Sequence, residues 1–332
     1  LMKRIAVECA VFAFLLFVIP LFAMLGTPAA AREEEPPASS PLDTQESEED
    51  GFSILDTSTG EVVQVSRLEF LRGGTAAEVP PTYEPEALKA QAIAAYTYYA
   101  RLRDQQRASP DPSLKGADFS ADLSIGEKYV TPALMESRYG ERAAEYTARL
   151  DEAARAVDGL ALTYNGELIE AVFFAISSGA TESSADMWGG ERPYLVAVAS
   201  PGDSYASGFQ TQADFSAEEV REALLSLDSS LSLGEDPAAW LGESTRTPSG
   251  SVLSLTAGGK ELSGADVRSA LGLRSQNFTA ACSGDAFTFT VRGYGHGVGM
   301  SQVGAQAMAQ QGAAWQEIVS WYYPGVSITP MG

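Results

Sequence analysis

The spacing of apolar residues changes along the chain and predicts where helices and strands lie. Over residues 88–102, apolar side chains return close to every 3.6 positions, which is the period of a helix with one buried face. Pro85 suits the first turn of that helix. Around residues 52–65, apolar and polar residues instead alternate on both sides of a Ser-Thr-Gly turn, which is typical of a β-hairpin. The chain therefore combines helical and strand patterns.

Shorter patterns of both kinds continue to the end of the chain. Asn165 and Gly166 are typical turn residues of a hairpin, Ser301 is a typical helix N-cap, and Gly312 is a typical helix end. We expect helices over residues 132–139, 141–157, 214–227, 263–271, 303–311 and 313–323, and strands over residues 171–176, 251–256 and 286–292. This order predicts an α+β fold in which helices mix with short antiparallel strands.

The beginning of the chain has the composition of a membrane signal. Lys3 and Arg4 precede an apolar run over residues 9–25 that approaches the length needed to span a bilayer. We therefore expect a single-pass anchor in the cell membrane, with residues 1–8 in the cytoplasm and the folded part outside the membrane. The alternative is a cleaved signal peptide, because the three alanines at residues 29–31 satisfy a small-x-small cleavage rule.

The segment after the apolar run is rich in Glu, Pro, Ser and Asp. Such a segment cannot bury enough apolar surface to offset the entropy lost on folding, so residues 26–51 predict a disordered acidic spacer. Residues 52–332 then form the folded domain. The net charge of -22 argues against nucleic-acid binding and against a polybasic membrane patch, because both need clustered Lys and Arg.

Histidine and cysteine are too rare to build common metal or disulfide sites. Cys9 lies in the apolar run and Cys282 stands alone, so the folded domain cannot form an internal disulfide. His296 is the single histidine of the chain, and a stable metal site usually needs three or more protein ligands. We therefore expect no metal and no other cofactor.

Glu78 is the first candidate for chemistry. It lies in the predicted loop TAAEVPP, residues 75–81, between apolar neighbours and a rigid diproline. Burial disfavours the charged carboxylate and raises its pKa, which a general acid that works near neutral pH requires. The alternative is a surface glutamate that helps to start the following helix.

The second candidate is the segment FFAISSGATESSADMWGGERPYL, residues 173–195. It places Ser177, Ser178 and Gly179 after an apolar strand and adds Trp188 and Tyr194. Hydroxyl groups and aromatic faces together suit a sugar polymer, whereas Ser-Ser-Gly can equally form a tight turn. A serine nucleophile would need His296 as its base, and no GxSxG elbow supports that reading.

The third candidate is the loop YGHGVGM, residues 294–300. Its glycines allow backbone conformations that other residues avoid and a close approach to a ligand. His296 would project from this loop toward that ligand. The alternative is a structural histidine that bonds to the backbone.

Several motifs occur together in one order along the chain. They are AAEVP with EALKAQAIAAYTY, FFAISSGATE with MWGGERPYL, LGLRSQNF, and GYGHGVGMSQVGAQAMAQQG with IVSWYYPGV. With these motifs, residues 65–328 resemble the stage II sporulation protein D family of bacterial peptidoglycan-cleaving proteins. The anchor and the acidic spacer also suit that family.

The resemblance implies lytic transglycosylation, which cuts the bond between N-acetylmuramic acid and N-acetylglucosamine without water and leaves 1,6-anhydro ends. Glu78 falls on the residue assigned as the catalytic acid of the family. The resemblance also implies a glycan-binding groove, lined by Lys89, Gln91, Ser177, Ser178, Gly179, Tyr194, His296, Gly297 and Gln302. If Glu182, Asp186 or Asp203 supplied a second carboxylate, hydrolysis would be the alternative reaction.

This chain also departs from the family pattern. Tyr96 replaces a common arginine, and Ala180 replaces a glycine. Some members bind zinc through a histidine and two cysteines after the long helix, and residues 101–146 contain neither residue type, so we expect no such site here.

The family also implies partners. They are peptidoglycan glycan strands, the sporulation amidase called protein P and the membrane scaffold called protein M, during engulfment of the forespore. The alternative function is a non-catalytic, wall-binding activator of a peptidoglycan amidase.

Overall fold

Helices and short β-sheets alternate along residues 51–331, which are the residues that the computed structural model describes. The α+β class predicted from the sequence is confirmed. The predicted anchor at residues 9–25 and nearly all of the predicted spacer lie outside the described residues. Between residues 51 and 331, no helix is both long and apolar enough to cross a membrane.

The first elements surround one long helix. Strands β1 (Phe52–Asp56) and β2 (Val62–Val65) form the predicted antiparallel hairpin, and β3 (Phe119–Ala121) pairs with β1 in parallel. Helix α1 (Arg67–Glu78) leads into the long helix α2 (Pro85–Ala108), whose first residue is the predicted proline. Tyr96, where the resemblance leads us to expect an arginine, is 1% exposed and adds an aromatic ring to the core between these elements.

Helix α1 corrects one prediction, because residues 75–78 are helical instead of part of a loop. The helix begins at Ser66, whose side chain forms a capping box with Glu69, and it continues through Gly73. Gly73 is required for packing, since a Cβ atom there would lie 2.3 Å from the ring of Tyr129. The helix ends after Glu78, where the diproline follows within two residues.

The remaining helices of this part pack around α2. Helix α3 (Pro132–Tyr139) has the predicted bounds, and α4 (Ala143–Val157) begins two residues later than predicted. The hairpin around Asn165 and Gly166 is confirmed as β4 (Leu160–Tyr164) paired with β5 (Glu167–Leu168). The last strand, β14 (Ser327–Pro330), pairs with β4 on the other side.

A two-stranded sheet joins the middle of the chain to its C-terminal part. Strand β6 (Phe173–Phe174) pairs in parallel with β13 (Met300–Ser301), so the predicted strand over residues 171–176 is shorter than expected. Two parallel pairs therefore occur in a fold for which only antiparallel strands were predicted. Helices α5 (Ser184–Trp188), α8 (Gln302–Gln310) and α9 (Trp315–Tyr322) belong to the same part of the fold.

A second hydrophobic core lies within residues 210–292. Val220, Trp240, Phe287 and Phe289 are among its buried side chains. Strand β7 (Gln210–Ser216) occupies three positions that were predicted as helix, and α6 (Ala217–Leu227) begins only after the capping serine at 216. The other elements are β8 (Leu241–Arg246), β9 (Val252–Ala257), β10 (Lys260–Ser263), α7 (Gly264–Ala270), β11 (Phe278–Ser283) and β12 (Ala286–Arg292).

Candidate functional site

Glu78 is a partly buried carboxyl group at the C-terminal end of α1. Burial raises the pKa of Glu78 from its ordinary value of 4.5 to about 7, although the Gln302 side chain donates a hydrogen bond and Lys128 adds a positive charge, which both lower it. The end of a helix is the negative end of its dipole, which also disfavours the anion. At neutral pH both protonation states of Glu78 are therefore populated, as acid–base catalysis requires.

Gln302 is brought to Glu78 by the start of α8. Ser301 caps this helix, because its side chain accepts a hydrogen bond from the Gly304 amide at 3.2 Å. The Ser301 hydroxyl also donates to the Asp203 carboxylate at 2.5 Å. Gln302 is 9% exposed, so its side chain is largely shielded from water.

Asp203 is a fully buried carboxylate, with an exposed fraction of 0%. Besides Ser301, it accepts hydrogen bonds from the Ser177 hydroxyl at 2.8 Å and from the Ser200 hydroxyl at 2.5 Å. Burial raises the pKa of Asp203, while these hydroxyl donors lower it. Because Asp203 has no exposed surface, it joins segments of the fold and is not placed to activate a water molecule for hydrolysis.

The other two carboxylates considered for hydrolysis also have internal partners. Glu182 is 2% exposed and accepts a hydrogen bond from the Thr247 hydroxyl at 3.0 Å. Asp186 is exposed on α5, where it accepts a hydrogen bond from the Ser183 hydroxyl at 2.7 Å. Neither is among the groups that shift the pKa of Glu78.

The Ser-Ser-Gly segment forms a turn with its polar groups directed into the fold. Ser177 is 1% exposed, and its hydroxyl accepts the Gly179 amide at 3.1 Å while donating to Asp203. Ser178 is half-buried and donates to the backbone carbonyl of Ser249 at 3.2 Å. The carbonyl of Gly179 accepts the amide of Ser200. This geometry matches the tight-turn alternative and makes Ser177 a poor candidate for direct contact with a glycan.

Both nitrogens of His296 bond to the backbone. Nδ1 accepts the Val298 amide at 3.2 Å, and Nε2 lies 3.1 Å from the Phe173 carbonyl oxygen. Because Nδ1 is an acceptor, Nε2 carries the proton and donates a hydrogen bond to the Phe173 carbonyl oxygen. Burial lowers the pKa of His296, which keeps the ring neutral. The exposed ring of Trp188 lies 5.5 Å away, so an aromatic surface remains available beside this histidine.

Gly297 holds the same loop against the segment that follows Ser177 and Ser178. Its φ of 85° lies in the left-handed region, and a Cβ atom would lie 3.0 Å from Cγ of Glu182. The Gly297 carbonyl accepts the Glu182 amide at 2.8 Å. A glycine is therefore needed at position 297 for the loop to pack against Glu182.

The three remaining candidates lie at different depths. The Lys89 ammonium donates to Glu86 at 2.6 Å, and Glu86 also accepts the Trp315 amide, which ties α2 to α9. Tyr194 is 8% exposed and accepts the Glu170 amide at 3.1 Å. Gln91 is 1% exposed, and within residues 51–331 neither polar atom of its side chain has a hydrogen-bond partner. A glycan could reach Gln91 or Tyr194 only if neighbouring side chains moved.

Lys128 is a site residue that sequence reasoning missed. Its ammonium donates to the Ser120 carbonyl at 2.7 Å, and its charge lowers the pKa of Glu78. Lys128 has a φ of 62° in a turn, and no local pattern indicates that this turn faces Glu78. Among residues 51–331, no group of three or more His, Cys, Asp or Glu side chains is arranged to hold a metal ion.

Comparison with known proteins identifies the family. A family model described as Stage II sporulation protein matches residues 56–164, which include Glu78. Stage II sporulation protein D of Bacillus subtilis (strain 168) is 33% identical over an alignment that covers 99% of this chain and 96% of that protein. The protein of the same name from Bacillus amyloliquefaciens is 35% identical, with 83% of this chain and 78% of that protein covered. The amidase enhancer of Bacillus subtilis (strain 168) is 26% identical and covers 78% of this chain and 40% of that protein. The chain therefore belongs to the stage II sporulation protein D family.

Proposed function

We propose that this sporulation protein is a peptidoglycan lytic transglycosylase with Glu78 as its single catalytic acid and base. The observation that carries the proposal is the pKa of about 7 at Glu78, held by burial against the opposing effects of Gln302 and Lys128. A carboxyl group with such a pKa can give up a proton and take one back near neutral pH, which a one-residue mechanism needs.

In the first step, the protonated carboxyl of Glu78 donates its proton to the oxygen that links C1 of N-acetylmuramic acid to N-acetylglucosamine. The bond between that oxygen and C1 then breaks. In the second step, the Glu78 carboxylate takes the proton of the muramic C6 hydroxyl, whose oxygen bonds to C1 and closes a 1,6-anhydro ring. Glu78 ends protonated, no water is consumed, and the enzyme is ready for another cycle.

The surroundings of Glu78 favour this reaction over hydrolysis. A glycosidase that uses water or a covalent intermediate needs a second carboxylate near the scissile bond. Within the described residues, Asp203 and Glu182 are buried and hydrogen-bonded, and no carboxylate acts on the pKa of Glu78. A single carboxyl group at the site is what ring closure by the C6 hydroxyl requires.

The cellular part of the proposal follows the family and the N-terminal composition. Residues 9–25 hold the protein in the cell membrane, and the acidic spacer lets the domain reach glycan strands outside it. We propose that a glycan-binding groove adjoins Glu78. The residues that serve it, either by contact with the glycan or by positioning the loops of the groove, are those predicted at positions 89, 91, 177–179, 194, 296, 297 and 302. The amidase called protein P and the scaffold called protein M are the proposed partners during engulfment.

Product analysis tests the proposal. The full chain and its Glu78→Gln variant are incubated with purified glycan strands, with and without stem peptides, and the new ends are identified by mass. We expect anhydro-muramic ends, which are lighter than hydrolysed ends by one water, and a loss of at least 10² to 10⁴-fold in the variant, about what general acid–base catalysis contributes. Reducing ends would establish hydrolysis, and undiminished cleavage by the variant would remove Glu78 from the mechanism.

The similarity to an amidase enhancer supports a second candidate function, in which the protein binds the wall and activates a separate amidase. The two candidates differ in one measurement. An activator would leave purified glycan strands intact and would raise the rate at which an added peptidoglycan amidase releases stem peptides, and Glu78→Gln would not change that rate.

A further inference from the structure

An arginine whose guanidinium donates no hydrogen bond within the described residues lies beside the His296 loop. Within residues 51–331, Arg274 forms no ion pair, and its guanidinium donates no hydrogen bond; only its backbone carbonyl is used, by the Gly295 amide and by the Arg268 side chain. Arg274 is half-buried, and its burial lowers the pKa. A guanidinium that loses water without gaining a partner is costly, so this one is suited to a ligand that supplies the missing acceptors.

The guanidinium is held in a defined orientation. Its Cζ atom lies 4.3 Å from the centre of the Tyr294 ring, in a cation–π contact. Gly208 faces it closely, because a Cβ atom at Gly208 would lie 3.0 Å from Nη2 and 3.2 Å from Nη1 of Arg274. An arginine that is fixed on an aromatic face loses little entropy when it binds an anion.

The charges around Arg274 favour an anion. Arg268 donates hydrogen bonds to the carbonyls of Leu273 and Arg274, so a second positive charge lies close by, and its charge lowers the pKa of His296. In a chain of net charge -22, no carboxylate of the described residues acts on the pKa of either arginine. A pair of positive charges attracts negatively charged ligands.

Two neighbouring backbone positions link Arg274 to the Glu78 site. Ile176 exchanges hydrogen bonds with Tyr294, on which Arg274 stacks, and the adjacent Ala175 accepts the amide of Val303. Val303 follows Gln302, which donates to Glu78. Consecutive Cα atoms of a chain are about 3.8 Å apart, so these two backbone hydrogen bonds are made at neighbouring points of the same segment.

We propose that Arg274, supported by Arg268 and Tyr294, is a carboxylate subsite for the muramic-acid units of the glycan. This inference rests on the proposed function and names the part of the substrate that the subsite reads. A planar carboxylate can take two parallel hydrogen bonds from the guanidinium, whereas N-acetylglucosamine carries no charge. The carboxylate has two sources: the lactyl group of muramic acid where the stem peptide is absent, and the stem peptide where it is present.

Binding measurements separate these sources. The full chain carries Glu78→Gln, so that the ligand stays intact, and Arg274→Gln or Arg274→Lys is added. Calorimetry compares muramic-acid glycans without stem peptides, the same glycans with stem peptides, and chitin oligosaccharides of equal length. The matched control is Arg155→Gln, which removes the same charge from the exposed Arg155 in the last turn of α4.

We expect Arg274→Gln to weaken binding of a muramic-acid glycan by about tenfold to a hundredfold, which corresponds to one lost hydrogen bond to a charged group. Binding of chitin by Arg274→Gln and binding of muramic-acid glycans by the Arg155→Gln control should be unchanged, and Arg274→Lys should lose less affinity than Arg274→Gln. A loss confined to peptide-free strands identifies the lactyl carboxylate, and a loss confined to peptide-bearing strands identifies the peptide.

Equal losses on chitin and on muramic-acid glycans, equal losses in the control, or no loss at all would overturn the proposal. If Arg274 variants do not fold, the protein with only Glu78→Gln still decides, because it must bind muramic-acid glycans more tightly than chitin, and the preference must shrink as salt is raised. The readout is binding, so a wild-type protein that fails to cleave would contradict the proposed function and leave this result intact.

Discussion

The side chain of Gln302, the first residue of α8, lowers the pKa of Glu78, the last residue of α1, by hydrogen bonding to its carboxyl group. This bond stabilises the carboxylate, whereas burial stabilises the neutral acid, and burial has the larger effect on the pKa. Gln302 therefore limits how far the pKa of Glu78 rises. The position of α8 is in turn fixed by Ser301 and Asp203.

Replacing Gln302 by leucine should raise the pKa of Glu78 further, because it removes the donor to the carboxylate. A hydrogen bond to a charged group contributes about 1.5 to 3 kcal/mol, so the alkaline limb of the pH–rate profile should move upward by about one to two pH units. The profile of kcat/KM on glycan strands checks this. Gln310→Leu, at an exposed position of the same helix, is the control, and a limb that stays in place would mean that Gln302 does not act on Glu78.

Glu78→Gln should stabilise the folded protein above pH 7. The pKa of Glu78 is raised to about 7 from its ordinary value of 4.5, so the folded chain binds the proton more tightly than the unfolded chain. The stability contributed by the neutral acid is complete below pH 4.5 and is lost as the pH rises through 7.

Because glutamine stays neutral, the variant should retain at high pH the part of the free energy of unfolding that the wild type loses, up to about 3 kcal/mol. Urea unfolding of both proteins at pH 4.5 and pH 8 measures the difference. Equal stabilities at pH 8, or a variant that is less stable there, would show that the carboxylate is not disfavoured in the fold. The comparison does not depend on cleavage.

Local patterns predicted the elements that local chemistry determines. The hairpin over β1 and β2, the proline that begins α2 and the Ser301 cap of α8 each rest on residues that are close in sequence. Strand β7 was missed because its residues form a strand through pairing with β12, and its last three residues look like a helix start. Distant pairing overrode the local helix signal there.

In the candidate site, too, local patterns predicted some features, whereas contacts between distant parts of the chain were missed. Glu78 was found from its apolar neighbours and from the resemblance, but it was placed in a loop, because the short helix expected before it continues through Gly73 and Gly74 to Glu78. Its contacts with Gln302 and Lys128 join distant parts of the chain, and no local pattern encodes them. Asp203 looked like an available carboxylate, and only the fold shows that serines surround it.

Asp203→Ala should destabilise the protein strongly, because it leaves the buried hydroxyls of Ser177, Ser200 and Ser301 without their acceptor. We expect a loss of about 3 to 5 kcal/mol in the free energy of unfolding, as for other broken buried polar networks. Urea unfolding checks the value. Asp214→Ala is the control, since Asp214 is exposed and accepts one hydrogen bond from Thr288, and it should cost less than about 0.5 kcal/mol. A similar cost for both variants would show that Asp203 does not hold these segments together.

His296 should be neutral, with its proton on Nε2, at every pH where the loop is folded as described. Its Nδ1 accepts the Val298 amide, its Nε2 donates to Phe173, and its pKa is lowered by burial. The chain contains one histidine, so its ring signals in nitrogen NMR spectra are assigned without ambiguity.

We expect the Nε2–H tautomer at pH 7 and at pH 6.5, the ordinary pKa of the ring, where a free histidine would be half charged. Protonation of Nδ1 at lower pH breaks its bond to Val298, so the stability that this histidine contributes should be lost as the pH falls through the lowered pKa. His296→Ala should loosen the loop and weaken glycan binding while the circular dichroism of the fold is retained. A ring that is half protonated at pH 6.5, or that carries its proton on Nδ1, would mean that the two backbone bonds do not hold it.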